Sequence, residues 1–131
     1  MPSIEIYQGD CLELLKTFPM ESVDLVFTDP FYNEKYNYRG SDFVDYREDY
    51  YEFIEAVFQQ LYRLLKPTGS IYVKHSSRQI PQILEIFSEI FKFQNLIIWV
   101  ANSQAHPKDN YDSYYEPIFF GTVSDEYTFN K

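Results

Sequence analysis

A short polar run directly after an apolar segment carries the residue types that could do chemistry. Residues 23–28 (Val-Asp-Leu-Val-Phe-Thr) predict a strand, and residues 29–33 (Asp-Pro-Phe-Tyr-Asn) follow it. The carboxylate of Asp29 can accept hydrogen bonds, and the ring of Tyr32 can stack on a planar group. In doubly wound α/β sheets, ligands bind beyond the carboxyl ends of the strands, where this run is placed. Taken alone, Asp29-Pro30 is explained more simply as a turn that ends a strand.

The rest of the chain alternates between patterns typical of strands and of helices. Alternating or continuously apolar residues predict strands over 3–8, 23–28, 70–74, 95–100 and 116–121. Apolar residues three and four apart predict helices over 10–18, 45–65 and 76–90. This alternation favours an α/β fold with a mostly parallel sheet and helices on both faces. Since no helix separates the last two strands, we expect an antiparallel edge.

Several residues near these segments have simple structural explanations. Asp10 has the position of a helix N-cap. Trp99, in an almost continuously apolar segment, is expected in the core. His75 and Glu116 lie at predicted strand ends, and a structural role explains each more simply than a catalytic one.

An acidic cluster suggests a metal-dependent nuclease as one alternative function. The cluster consists of Asp42, Asp45, Glu48 and Asp49. Acidic side chains in the first turn of a helix interact favourably with the helix dipole, which explains the cluster more simply. The chain has two His and one Cys without metal-binding spacing, so we expect no metal site.

Composition limits the class of protein. The 131 residues predict a single domain over 1–131. The net charge of −9 is opposite to the basic footprint of a free-standing nucleic-acid binder, so any nucleic acid would be held largely by something else. The single Cys11 permits no internal disulfide. The first residues do not resemble a signal peptide, and no apolar run predicts a membrane span, so we expect a cytoplasmic location.

Four stretches of the chain are similar, in the same order, to the N6-adenine and N4-cytosine DNA methyltransferases. Residues 8–15 (Gln-Gly-Asp-Cys-Leu-Glu-Leu-Leu) and 22–33 resemble the N-terminal core with its Asp/Asn/Ser-Pro-Pro-Tyr/Phe motif. Residues 64–73 resemble the next helix end and strand, and residues 115–120 (Tyr-Glu-Pro-Ile-Phe-Phe) the strand written His-Glu-x-Ile. The match spans about residues 6–121 and implies a partial Rossmann-like methyltransferase sheet.

The resemblance implies methyl transfer from S-adenosyl-L-methionine to an exocyclic amino group of a DNA base. Such a nitrogen is a poor nucleophile because its lone pair is delocalised into the ring. Acceptors aimed at its two N–H bonds favour the pyramidal nitrogen that attacks a methyl sulfonium. The family assigns these acceptors to the Asp29 carboxylate and the Pro30 carbonyl, and assigns Tyr32 to stacking on a base flipped out of the duplex. Asp29, Pro30 and Tyr32 are therefore the predicted catalytic residues.

The resemblance also implies binding roles around this motif. Asp10 and Asp29 would contact the methyl donor, although a helix cap alone explains Asp10 about as well. Phe31, Tyr32 and Asn33 would contact the substrate base. Tyr36 and Tyr38 could flank DNA, but a loop without that role explains them more simply.

The sequence departs from the family pattern in two ways. Phe31 stands where the family usually has Pro, which relaxes the constraint on the loop backbone. The Phe-x-Gly-x-Gly methyl-donor loop is absent, since the chain has only four glycines, at 9, 40, 69 and 121. We expect a second chain or a missing C-terminal region to carry that loop, the target-recognition region and the basic DNA-binding surface.

Alternative functions remain open at this point. Asp at the start of the motif favours adenine N6, whereas N4-cytosine enzymes more often begin it with Ser. Methylation at cytosine C5 is excluded, because it requires a thiolate nucleophile and Cys11 lacks the expected Pro-Cys context. A non-catalytic fragment or split subunit is the alternative from a different class. The sequence does not distinguish DNA from RNA as the substrate.

Overall fold

A computed structural model of the chain describes residues 1–35, 42, 44–101, 111 and 113–130. These residues form three α-helices and four β-strands. The helices are α1 (Cys11–Leu15), α2 (Tyr50–Leu64) and α3 (Ile80–Ile90), and a 3₁₀ turn (Ser77–Gln79) precedes α3. The strands are β1 (Val23–Thr28), β2 (Leu65–Lys74), β3 (Lys92–Val100) and β4 (Tyr115–Thr122). Among the described residues, no helix is long and apolar enough to cross a lipid bilayer.

The four strands form one mixed sheet in the order β1-β2-β4-β3. The β1 and β2 strands are parallel, whereas β4 is antiparallel to both β2 and β3. The α/β class and the antiparallel edge are thus as predicted, but the antiparallel share is larger than expected because β4 is inserted between β2 and β3. The pairing of β1 with β2 shifts where Leu65 faces Val23 and Ser70 faces Leu25, so residues 66–69 form an irregularity at the start of β2.

The core lies between one face of the sheet and helices α2 and α3. Apolar residues recur three and four apart along α2, at Ile54, Val57, Phe58 and Leu61, and all are buried. They share one cluster with Ile71, Val73 and Phe119 of the sheet and with Ile83 and Phe87 of α3. Burial of this stripe, rather than helix propensity alone, therefore stabilises α2 against the sheet.

The described residues cover the opposite face of the sheet only in part. Phe120 of β4 stacks on Tyr72 with ring centroids 4.7 Å apart, and Phe129 from the C-terminal segment packs on Phe120 at 6.1 Å. Leu25 and Phe27 of β1 remain 58% and 59% exposed. The helices that cover the core face thus leave an apolar surface on the other face, where covering helices were also expected.

The predictions of a buried Trp99 and of a doubly covered strand over 95–100 are wrong. Trp99 is 53% exposed, and all of residues 95–100 are exposed. The reason is that β3 is the edge strand beyond β4, and no described helix covers its outer side. A continuously apolar sequence indicates that a strand suits burial on both faces but does not show what covers it.

The predicted strand over residues 3–8 is absent. This segment forms no secondary structure, and Ile4 and Ile6 are each 91% exposed. Its alternating pattern suits a strand, but a strand needs a hydrogen-bonded neighbour, and β1 pairs only with β2 among the described residues.

The second helix begins later than predicted, at Tyr50 rather than near residue 45. Asp49 is its N-cap without a side-chain cap bond, and it pairs instead with Arg47. Asp45 is buried before the helix rather than exposed in its first turn. Of the acidic cluster, Asp49 alone lies at the helix start, as its N-cap, so the explanation by helix-start charges holds only for that residue. The polar composition of residues 34–44 and 101–113 predicts loops, and much of both segments lies outside the described residues.

Gly121 marks the closest approach of the sheet to α3, and its replacement is a test of the core. A Cβ atom at this position would lie 2.5 Å from Cζ of Phe87. We expect Gly121→Ala to lower the free energy of unfolding by about 1–3 kcal/mol, because a packed core resists an added methyl group. Urea denaturation measures the loss. Phe87→Leu should lose less stability in the Gly121→Ala background than in the wild type, and strictly additive losses would contradict the contact.

Candidate active site

The parallel pairing of β1 with β2 brings the Asp-Pro-Phe-Tyr run next to the end of β2. Thr28, the last residue of β1, is paired with Val73. Because both strands run in the same direction, the residues after Thr28 and after Val73 leave the sheet at the same edge. Asp29 and Tyr32 therefore meet Lys74 and His75 there.

Asp29 and Tyr32 are in direct contact. The Tyr32 hydroxyl donates a hydrogen bond to Oδ1 of Asp29 at 2.7 Å. Partial burial, followed by this bond and the charge of Asp29, raises the pKa of Tyr32 well above its usual value of 10.0, so the hydroxyl keeps its proton. The side chain of Asp29 is still 47% exposed, so the carboxylate remains accessible. The two residues thus lie on the same side of the sheet, at one site.

Lys74 joins this pair to the neighbouring strand. Its ammonium lies 3.4 Å from Oδ2 of Asp29 and 3.3 Å from the Tyr32 hydroxyl, and forms an ion pair with Glu116 of β4. It also lies 5.3 Å from the ring centroid of Trp99. Partial burial by itself lowers the pKa of Lys74, but the bond to Glu116 and the charge of Asp29 outweigh it and raise that pKa. Lys74 is therefore a cation held between two carboxylates.

His75 is fully buried behind Tyr32. The two rings are tilted against each other with centroids 4.8 Å apart. Burial lowers the pKa of His75 from 6.5 to about 4, against the opposing effects of the Ser76 backbone and the Asp29 charge. His75 is thus neutral at pH 7 and supports one side of the Tyr32 ring.

The other three residues of the motif, Pro30, Phe31 and Asn33, pack or hydrogen-bond within the protein to different extents. The ring of Phe31 packs on Tyr50 and Phe53, with centroids 5.2 and 6.0 Å away. Asn33 has a left-handed backbone (φ 58°), and its side-chain oxygen accepts a hydrogen bond from the Arg47 amide. Pro30 is half-buried. The side chains of Phe31 and Asn33 both hold the loop in place. The predicted contacts of Phe31 and Asn33 with the substrate base stay predictions.

Asp10 forms the predicted helix cap. Its Oδ1 accepts hydrogen bonds from the amides of Leu12 and Glu13 at 2.9 and 3.1 Å, at the start of α1. The carboxylate is exposed, which is compatible with a ligand contact, and its predicted role toward the methyl donor stays a prediction.

Sequence reasoning missed part of this site. The helical pattern over 45–65 indicates only an apolar position for Tyr50, yet its hydroxyl donates a hydrogen bond to the Phe31 carbonyl. Gln79 donates to the Tyr32 carbonyl and was not singled out. Both contacts join residues far apart in the chain, so no local pattern predicts them. Tyr36 and Tyr38 lie outside the described residues, within which no group of acidic, His or Cys side chains could hold a metal ion.

Comparison with known proteins identifies the family. Residues 23–131 match the N6/N4 family model described as DNA methylase. This chain belongs to the N6/N4 DNA methylase family. The DNA adenine methyltransferase YhdJ of Escherichia coli (strain K12) is 37% identical over 129 residues, which cover 95% of this chain and 43% of that protein. The type II methyltransferase M.BglII of Bacillus subtilis is 33% identical over 136 residues, covering 95% and 37% respectively.

Solved structures of similar fold also extend beyond this chain. The PvuII DNA methyltransferase (cytosine-N4-specific) has a TM-score of 0.68 at 21% identity, covering 92% of this chain and 49% of that one. The M1.HpyAVI–SAM complex has a TM-score of 0.64 at 22% identity, covering 92% and 55%. This member of the N6/N4 DNA methylase family therefore spans about half the length of its relatives, in the fold they share.

The ion pairs of Lys74 can be tested by removing its charge. We expect Lys74→Met to lower the free energy of unfolding by about 1–2 kcal/mol, because two carboxylates lose a mostly buried counter-ion. Lys66→Met is the matched control: its ion pair with Asp24 is exposed, and its loss should cost less than about 0.5 kcal/mol. Urea denaturation measures the loss of stability in both variants. Equal losses would contradict a larger stabilising effect of the Lys74 ion pairs than of the exposed Lys66–Asp24 pair.

The lowered pKa of His75 predicts an acid-sensitive fold. The folded state binds a proton at His75 less readily than the unfolded chain does, so protonation of His75 favours unfolding. The stability that depends on a neutral His75 is therefore complete above about pH 6.5 and is lost as the pH falls toward 4. A shift of this size corresponds to about 3 kcal/mol between the two limits. Urea denaturation from pH 4 to 7 should show a steeper decline for the wild type than for His75→Gln. Parallel curves would contradict a depressed pKa.

Proposed function

We propose that this chain supplies the substrate-binding half of an enzyme that transfers a methyl group from S-adenosyl-L-methionine to an amino group of a DNA base, with adenine N6 favoured. The observation that carries the proposal is the direct contact of Asp29 and Tyr32 at the carboxyl end of β1, within the motif of the N6/N4 DNA methylase family. A carboxylate beside an aromatic ring suits a planar base that presents an amino group.

The proposed chemistry assigns one task to each residue of the motif. Asp29, whose carboxylate is accessible, accepts a hydrogen bond from one N–H of the amino group. The Pro30 carbonyl accepts from the second N–H. The ring of Tyr32 stacks on the flipped base and is supported from behind by His75. Acceptors fixed in advance favour the nitrogen geometry of the transition state and the positive charge that develops there.

The methyl donor fits this chain only in part. When bound, S-adenosyl-L-methionine supplies a methyl group on a positively charged sulfur. Asp10, exposed at the start of α1, and Asp29 would contribute to holding it. The four glycines of the chain do not form the family's glycine-rich donor loop. The residues present therefore fit the base side of the reaction more fully than the donor side.

We infer that the donor loop and the DNA-binding surface come from protein beyond these 131 residues, either a continuation of the same chain or a second chain. The chain spans 43% of the E. coli relative, which leaves room for both. The exposed Leu25 and Phe27 offer an apolar sheet face for further protein to cover. An open reading frame that continues past Lys131 and encodes a Phe-x-Gly-x-Gly loop would support a continuation of the same chain over a second chain.

Adenine is favoured over cytosine as the target base for two reasons. Asp29 opens the motif, and the E. coli relative at 37% identity is named an adenine methyltransferase. Cytosine N4 is the alternative target, because its amino group presents the same two N–H bonds to the site.

A non-catalytic subunit is the second candidate function, favoured by the missing glycine loop. Isothermal titration calorimetry of the isolated chain with S-adenosyl-L-methionine separates the two candidates. A dissociation constant below 1 mM (roughly 4 kcal/mol) would contradict a non-catalytic subunit that binds no methyl donor. Absence of binding would restrict catalysis to a completed assembly.

A chimera tests the role of Asp29 in such an assembly. This chain would replace the matching segment of the E. coli relative, to which it is 37% identical. We expect Asp29→Asn to reduce transfer of tritiated methyl groups to DNA by about 100-fold or more, because it weakens an acceptor used in the transition state, and to lower donor affinity much less, because the isosteric amide keeps an oxygen toward the donor.

Asp24→Asn provides the matched control for that experiment. Asp24 also belongs to the β1 region but lies near the opposite end of the strand, paired with Lys66. Its replacement should leave methyl transfer within about threefold (roughly 0.7 kcal/mol) of the parent chimera. If Asp29→Asn retained transfer at the control level, the assigned role of Asp29 would be refuted.

A further inference from the structure

The catalytic loop of this chain lacks the second proline of the family motif, which raises the question of what holds its backbone. Proline would fix the φ angle at position 31, whereas Phe31 leaves it free to rotate. The loop is nevertheless tied down at successive residues. The Phe31 carbonyl accepts from Tyr50, the Tyr32 carbonyl accepts from Gln79, and the Asn33 side chain accepts from the Arg47 amide.

The ring of Phe31 provides a second kind of restraint. It packs against Tyr50 and Phe53 at the start of α2, beside the buried core. Proline at this position could not make these aromatic contacts. The substitution therefore exchanges a local covalent restraint for packing against α2.

The Tyr50 hydroxyl is itself held by a buried histidine. Tyr50 and His75 are 1% and 0% exposed, and the hydroxyl lies 2.7 Å from Nε2 of His75. The Ser76 amide donates to Nδ1 of His75 at 2.8 Å. Since Nδ1 must accept, the neutral imidazole carries its proton on Nε2 and donates it to Tyr50, whose hydroxyl then donates to the Phe31 carbonyl. Every donor in this chain of bonds has an acceptor.

We propose that His75 and Tyr50 are positioning residues that fix the Asp29-Pro30-Phe31-Tyr32 loop from behind, in place of the missing second proline. The chain of hydrogen bonds from the Ser76 amide through His75 and Tyr50 to Phe31 sets the loop backbone between Pro30 and Tyr32. The His75 ring also backs the Tyr32 ring. Relevance to methyl transfer rests on the proposed function, whereas the restraint on the loop does not.

The tautomer of His75 is the first test, and His106→Gln removes the second imidazole of the chain so that the signals can be assigned to His75. Two-dimensional ¹H–¹⁵N spectra of the imidazole in the isolated chain at pH 7 should show a neutral ring with the proton on Nε2. A ring protonated on Nδ1, or charged at pH 7, would overturn the proposal because the chain of bonds could not run in the stated direction.

Hydrogen exchange measured by mass spectrometry is the second test. Tyr50→Phe keeps the ring packing and removes the hydroxyl. We expect backbone amides of residues 31–35 to exchange about five- to tenfold faster, as the loss of one buried hydrogen bond implies. Tyr62→Phe is the matched control: it makes the same change on α2, where the ring packs on Phe91, and should leave exchange in this loop unchanged.

Variants of His75 test whether it acts through Tyr50. His75→Leu should accelerate loop exchange to a similar degree, and adding it to Tyr50→Phe should cause little further change. His75→Gln, which retains a side-chain N–H, should recover part of the protection. Equal exchange in Tyr50→Phe and Tyr62→Phe, or fully additive effects of Tyr50→Phe and His75→Leu, would overturn the proposal. These readouts involve no methyl transfer, so their failure would be distinct from failure of the proposed function.

Discussion

The hydrogen bond between Tyr32 and Asp29 is the interaction on which the site depends, and the parallel pairing of β1 with β2 places it beside the end of β2. Pairing Thr28 with Val73 puts the loop after β1 beside Lys74 and His75. Lys74 lies against the carboxylate of Asp29 from one side, and His75 supports the ring of Tyr32. A shift of β1 by one residue would turn the loop side chains away from Lys74 and His75.

The same sheet shows how the chain relates to longer members of the N6/N4 DNA methylase family. Helices α2 and α3 cover one face, where the core cluster lies. On the other face, among the described residues, Tyr72, Tyr127 and Phe129 pack on Phe120, and side chains of β1 and β3 are exposed. A chain that spans about half of its relatives and leaves an apolar face exposed is consistent with our inference that further protein completes the enzyme.

Local sequence patterns predicted the parts of the fold that depend on local physics. The Asp10 cap, the apolar stripe of α2 and the strand before Asp29 each follow from residue spacing. The start of α2, the missing strand over 3–8 and the exposure of Trp99 depend on which segments become neighbours, which spacing does not encode. The contacts of Tyr50 and Gln79 with the loop span 19 and 47 residues, so they became visible only in the folded chain.

The central claim is that this site directs methylation to an exocyclic amino group. The most direct measurement uses the chimera with the E. coli relative, a ¹³C-methyl-labelled donor and mass spectrometry of the nucleosides released from the treated DNA. The account predicts label on N6-methyladenine, or on N4-methylcytosine in the alternative form. Label on 5-methylcytosine, or DNA cleavage that requires Mg²⁺ and no methyl donor, would contradict it.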